Sequence, residues 1–273
     1  MSGIEISIEK LSELQSDLYK VLDRSARFDP LAALIGAISP GERIKFPIRG
    51  CAIAFDSNVF LRLSGHAKIA DIIDFLSSEH DAPIVLPGQT IQEFWNNQLA
   101  AVDTMASGIT KKFDQFKAEV VKLPPEVLEY SEKMNAVISE FNVEFGHVYE
   151  ESSVRSTLSL LQTLKEKAIV SHVHRGIFQN MAVQRKRAKT PPGFKDEGDG
   201  DFFVWVDFLY GLLQAKASGA VFEKIVLVTQ DRKSDWSRKG IPHPILTAEV
   251  NALLGMDFDL WTISDLHKAI VER

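Results

Sequence analysis

The feature that most restricts this chain is a set of short runs that are apolar almost from end to end: CAIAF at Cys51–Phe55, APIVLP at 82–87 and KIVLVT at Lys224–Thr229. A strand with one solvated face alternates polar and apolar residues, so runs lacking that alternation predict strands covered on both faces, as in a parallel sheet. Between the first two runs, Ile69, Ile72, Ile73 and Leu76 recur at helical spacing, which predicts a βαβ unit. Another helical pattern runs from Asp201 to about Ser218 and leads into the third strand. A helix from Ile245 to Leu254, a short FDLW segment and a helix starting near Ser264 complete the order. Repeated strand-helix alternation predicts an α/β sandwich rather than an all-helical fold.

Two regions stand outside this alternation. Leu11, Leu14, Leu18, Val21 and Leu22 define one apolar face of a helix within the first 45 residues, and the run Leu31–Ile38 ends at Ser39-Pro40-Gly41, a strong stop. We therefore expect an N-terminal helical extension at 1–48 and a main domain at 49–273. After Pro87, helical composition extends from Thr90 to about Val121 and from Pro125 through Lys189, with breaks at Pro124-Pro125 and near Gly146 and Gly176. This predicts a long helical insertion at about 108–190.

Composition removes several classes. With 31 Lys+Arg against 37 Asp+Glu, a net charge of −6 and 45% hydrophobic residues, the chain is not a disordered tail. Its single cysteine, Cys51, excludes an internal disulfide framework and a Cys-rich metal site, and fits a reducing compartment. The longest apolar run, LAALIGAI at Leu31–Ile38, is well short of the roughly eighteen residues of a membrane span, so no membrane association is expected. The start, MSGIEISIEK, lacks the basic and apolar regions of a secretory signal, so a cytoplasmic location is expected. Neither GxGxxG nor a Walker lysine motif is present, which removes the usual phosphate cradles of dinucleotide and P-loop enzymes.

Charge is unevenly spread. Glu126 to Glu151 holds seven acids and one base, whereas Lys167 to Lys195 holds seven bases and no acid. Arg185, Lys186, Arg187 and Lys189 cluster before a Pro-Pro-Gly turn. They read either as a track for a phosphate backbone or as a solvated helix end that suits the C-terminal dipole.

The acids carry the functional signal. In an open parallel sheet, ligands bind beyond the carboxyl ends of the strands. Asp56 follows the first strand and Asp231 follows the third, while Glu93 lies on the first turns of the helix leaving the second strand. Asp201 follows a Gly-Asp-Gly turn and opens an apolar helix, where a capping role is the alternative. Asp207 reads as a surface or pairing residue. Carboxylates gathered in one cleft repel each other, and a divalent cation removes that repulsion. Oxygen ligands without Cys or His suit Mg²⁺ or Mn²⁺, whose chemistry on phosphates is phosphodiester hydrolysis. Arg232, Lys233 and Lys195 adjoin this rim as phosphate contacts, or as ordinary surface charge in the case of Arg232 and Lys233. Trp236 either stacks on a base or packs beneath the loop, and Trp205 reads as core. A phosphatase of the haloacid type requires a second acid two residues after the first, where Asn58 stands.

The runs FDSNVF, LPGQTIQEFWNN, PPGFKDEGDGDFFVW and VLVTQDRKSDW, in this order and beside these strands, resemble PIN-like nucleases. The likeness is to a bacterial branch with a helical insertion and a PPG(F/Y)KD…GD…W segment, and it covers about 52–266. The resemblance implies a three-layer α/β/α sandwich around a parallel PIN-like sheet and a metal-dependent cut of nucleic acid, RNA ahead of DNA. It also implies products with a 5′-phosphate and a 3′-hydroxyl. The metal ligands and catalytic acids fall on Asp56, Glu93, Asp201 and Asp231. Lys195 and Asp196 match a Lys-Asp pair with a substrate or metal-supporting role, and Asn58 and Asp235 join Arg232 and Lys233 as expected substrate contacts. Gln230 and Asn58 are departures that leave the pattern intact. The first 45 residues have no counterpart, leaving packing, dimerisation or partner binding open. A toxin-like or phage-defence role, with a homodimer or an inhibitory protein partner, is compatible with this family. The non-enzyme alternative is an inactive binding module of the same fold.

Overall fold

The computed structural model describes residues 6–25, 28–38, 47–63, 66, 68–96, 115–116, 118–119, 128–231 and 233–272. In chain order the strands are β1 (Cys51–Phe55), β2 (Ile84–Pro87), β3 (Ala168–Ser171), β4 (Lys224–Val228), β5 (Ser237–Arg238), β6 (Ile241–Pro242) and β7 (Asp257–Trp261). The helices are α1 (Ile8–Leu22), α2 (Pro30–Ile38), α3 (Ser57–Leu63), α4 (Ile69–Ser78), α5 (88–96), α6 (Leu128–Lys167), α7 (Arg175–Arg187), α8 (Gly200–Ala217), α9 (Pro244–Leu254) and α10 (Ile263–Val271).

Five strands form a parallel sheet in the order β3-β2-β1-β4-β7, and β5 and β6 pair as a small antiparallel hairpin. Alternation within the buried strands divides the core into two layers. Ala52, Ala54, Val85, Ile225 and Leu227 meet residues of α1, α7, α8 and α9 on one face, while Ile53, Phe55, Ile84, Leu86, Val226 and Val228 meet α3, α4, α6 and α10 on the other. The result is a three-layer α/β/α sandwich. Helix α8 is apolar all round and almost wholly buried, as expected of a helix with protein on every side. Gly211 allows its approach to the sheet, because a Cβ there would lie 2.4 Å from Val85 Cγ1 and 2.8 Å from Ser171 Oγ.

Two expectations need correction. The stretch expected to be helical through Lys189 contains β3, a strand that pairs with β2 at the sheet edge. It follows α6 with no intervening residue and is only four residues long, too short for a period to emerge. Gly146 does not break α6, which runs for 40 residues. The expected start of the insertion near 108 lies outside the described residues.

Leu14, Leu18 and Leu22 of α1 enter the same core layer as α8 and α9, so this helix packs as part of the sandwich. Helix α2 lies against α9 and keeps Leu31, Leu34, Ile35 and Ile38 exposed. Among the described residues no helix is long and apolar enough to cross a membrane.

Candidate metal centre

The chain leaves β1 for β2 and β3 on one side and returns to β4 and β7 on the other, so the strand order reverses between β1 and β4. A crevice opens beyond the carboxyl ends of strands at such a point. Asp56 directly follows β1 there, and Thr229, Gln230 and Asp231 directly follow β4. The two ends are tied together. Asp56 Oδ2 accepts from Thr229 Oγ1 at 2.7 Å and Asn58 Nδ2 at 2.7 Å, and its Oδ1 accepts from the Ser57 amide at 2.6 Å. Thr229 Oγ1 accepts the Asp231 amide at 2.9 Å, and Asn58 Oδ1 accepts the Gln230 amide at 2.9 Å. The shared Thr229 hydroxyl thus links Asp56 directly to the backbone of Asp231.

Acids from α8 and the loop before it join Asp231 at this crevice. One carboxylate oxygen from each of Asp196, Asp201 and Asp231 lies within 4.8 Å of the others. The Lys233 ammonium stands among them, 2.6 Å from both oxygens of Asp196, 3.0 Å from Asp231 Oδ2 and 3.7 Å from Asp201 Oδ2. Trp236, fully buried, donates its indole N–H to Asp201 Oδ2 at 2.9 Å. Glu93 reaches the same region from α5, since a Cβ on Gly200 would lie 2.7 Å from Glu93 Oε1. Gly200 therefore makes room for that carboxylate at the start of α8. Gly193, at φ +85°, gives the loop a left-handed turn under Asp201.

Protonation reflects the crowding. Burial pushes the Asp201 carboxyl up to about 8, reinforced by the hydrogen bond with Asp196 and the charge of Asp56. Asp196 is lowered, first by that same bond and then by Lys233, so the proton shared by the pair resides on Asp201. Burial also raises Asp56 to about 6 against its donors Thr229 and Ser57, with the charges of Glu93 and Asp231 adding to the rise. Lys233 is held above the usual lysine range by hydrogen bonds to Asp196 and Asp231, despite the opposing effect of burial. The donors are all hard oxygens and the space between them already holds a cationic group, both of which fit Mg²⁺ or Mn²⁺.

Several expected substrate contacts have other positions. Arg185 is a correction: it is buried and pairs with Glu249 Oε1 at 2.7 Å while donating to the Pro191 carbonyl, so its charge is consumed inside the protein. Glu249 in turn accepts the Trp205 indole N–H at 2.7 Å. Lys186 donates to the carbonyls of Glu197 and Gly198 and fastens the loop before α8. Asn58 uses both ends of its amide to hold Asp56 and Gln230, and Asp235 is buried, accepting the Gly193 amide at 3.1 Å. Asp196, expected as support, stands within the acidic trio. Arg187, Lys189 and Lys195 are exposed, and Arg232 lies outside the described residues. Asp207 is fully buried and accepts from both Arg175 guanidinium nitrogens and the amides of Gln89 and Val173. Burial raises the Cys51 thiol to about 11, which leaves it protonated. Sequence reasoning missed Thr229, although a hydroxyl two residues before Asp231 at a strand end was a usable signal.

Fold and site together define an α/β/α sandwich with a carboxylate cluster at the switch point of a parallel sheet. The sequence model of the PIN like domain family matches residues 126–245, so a PIN-like domain is present in the middle of the chain. The match includes Asp196, Asp201, Asp231 and Lys233, while Asp56 and Glu93 precede it. Neither a curated protein nor a solved structure matches the chain.

Proposed function

We propose that this protein is a divalent-metal-dependent nuclease that hydrolyses phosphodiester bonds, with RNA as its main substrate. The observation that carries the reading is the trio Asp196, Asp201 and Asp231, whose oxygens converge within 4.8 Å beside Asp56 and Glu93. These acids would hold Mg²⁺ or Mn²⁺. When bound, the ion supplies an activated water and neutralises charge on the phosphoryl oxygens. Asp56, gripped by Ser57, Asn58 and Thr229, fixes the end of β4 and hence Asp231. Trp236 holds the orientation of Asp201, and the Lys233 ammonium presents positive charge to a phosphate at the same rim. Arg187, Lys189 and Lys195 extend that charge along the surface. The products carry a 5′-phosphate and a 3′-hydroxyl.

The wider reading is of a cytoplasmic enzyme of a toxin-like or defence type. Its partner is a second copy or an inhibitory protein, for which the exposed Leu31, Leu34, Ile35 and Ile38 of α2 offer apolar area. Cleavage of a panel of RNA and DNA strands with Mg²⁺ or Mn²⁺, by the wild type and by Asp231→Asn, tests the enzyme. The wild type should cut RNA and the variant should lose the activity. Binding of RNA without cleavage under either metal would instead favour the inactive binding module.

A further inference from the structure

Beside the acids, a cavity of about 300 Å³ opens between the ends of β4 and β7 and the β5–β6 hairpin. Thr229 and Asp231 line it on the side of the metal centre, Trp261 lines it from β7, Ser237 and Lys239 line it from the hairpin, and Asp265 lines it from α10. Two of these residues, Thr229 and Asp231, thus belong to both the cavity and the acidic crevice. The walls are fixed. Trp261 pairs in register with Val228, and its carbonyl accepts the Thr229 amide at 2.8 Å, which ties the indole-bearing residue to the metal-centre loop. Asp265 is held by a capping box in which its Oδ2 accepts from the Thr262 amide at 2.9 Å and hydroxyl at 2.7 Å.

We propose that this cavity is a nucleoside subsite for the residue adjoining the scissile phosphate. The inference rests on the nuclease reading above. A half-buried indole offers a stacking face that any base can use, and Asp265 offers an acceptor to base N–H groups or a sugar hydroxyl. Lys239, exposed at the hairpin turn, contacts the next phosphate. The volume is at the lower end of small-ligand pockets, roughly 300–1,000 Å³, so it admits one nucleoside and no base pair. A base must leave its duplex to enter such a site.

The test uses a labelled single-stranded RNA, the same strand with one abasic position moved along it, and the corresponding duplex. Cleavage is followed in Mn²⁺ and binding is followed by anisotropy in chelator. We expect cleavage at the bond beside the abasic position to fall about tenfold relative to other bonds, the scale of one base–aromatic contact. Trp261→Ala should abolish that contrast, Trp261→Phe should keep most of it, and the duplex should be cut poorly. Lys239→Asn tolerates the left-handed φ of 54° at this turn and should weaken binding of intact and abasic strands equally. Uniform cleavage past the abasic position, equal cutting of duplex, or unchanged binding by Lys239→Asn would each overturn the subsite while leaving the nuclease reading standing. No cleavage of any strand by the wild type would overturn the nuclease reading and the subsite with it.

Discussion

A divalent ion entering the carboxylate cluster would have to displace a proton, and the structure sets the pH range over which that matters. Asp201 is raised to about 8 and Asp56 to about 6, while a metal ligand must be deprotonated. At pH 7 Asp201 is therefore mostly protonated in the metal-free protein and Asp56 mostly ionised, so binding should release about one proton. Below pH 8 each unit makes the binding free energy less favourable by about 1.4 kcal/mol, a tenfold loss of affinity. The logarithm of the Mn²⁺ affinity should rise with a slope near one between pH 6 and 8 and flatten above. Below pH 6, where Asp56 also protonates, the slope should approach two. Calorimetric titration with Mn²⁺ in buffers of different ionisation enthalpy measures both the affinity and the protons released. An affinity that is flat from pH 6 to 8, or no proton released at pH 7, would refute the reasoning, because it would mean that the crowded acids are already ionised without the ion.

The same titration acts on stability with the opposite sign: folded Asp201 retains a proton that the unfolded chain, with an aspartate of ordinary pKa near 4, has already lost. The metal-free protein should therefore melt at a lower temperature at pH 9 than at pH 7, a loss that saturating Mn²⁺ reverses; scanning calorimetry at the two pH values checks it. Arg185→Met leaves Glu249 buried without its cation and should destabilise by about 3–5 kcal/mol, measured by denaturant unfolding, and Arg185→Met with Glu249→Gln should recover part of the loss. Gly200→Ala puts a methyl 2.7 Å from Glu93 Oε1, so calorimetry should show Mn²⁺ affinity reduced roughly tenfold, or about 1.4 kcal/mol, while the melting temperature changes little.

What the sequence reveals here follows from burial. β1, β2 and β4 are covered on both faces, so nearly every position is apolar and the runs stand out. β3 is an edge strand whose Ile169 is only half-buried and whose Val170 is exposed, and it continues from α6 without a glycine or proline to mark the change. Nothing local distinguishes such a strand from the end of the helix; pairing with β2 decides it. The acids at the ends of β1 and β4 were legible for a topological reason, because the first polar residues after two buried parallel strands must emerge at the same sheet edge. Asp196 was harder to place. It belongs to no regular element, and its position in the trio depends on a loop held by Lys186, by Asp235 under Gly193 and by Lys233.

Arg185 illustrates a signal that charge counting obscures. On α7 the buried positions are Phe178, Met181, Ala182 and Arg185, at spacings of three, four and seven from the first, so the arginine continues the apolar stripe. A basic residue on such a stripe either disrupts packing or meets an acid from the facing element. On α9 Glu249 occupies the matching place, three residues after Leu246 and one before Val250, both buried. Read together, the two stripes predict an internal ion pair. Arg187 and Lys189, which fall off the stripe, are the ones left to face a polyanion. The basic cluster thus divides by helical phase, Arg185 joining layers of the fold and Arg187 and Lys189 remaining exposed. Neutralising Arg187 and Lys189 should accordingly leave the fold intact and act through the salt dependence of binding alone.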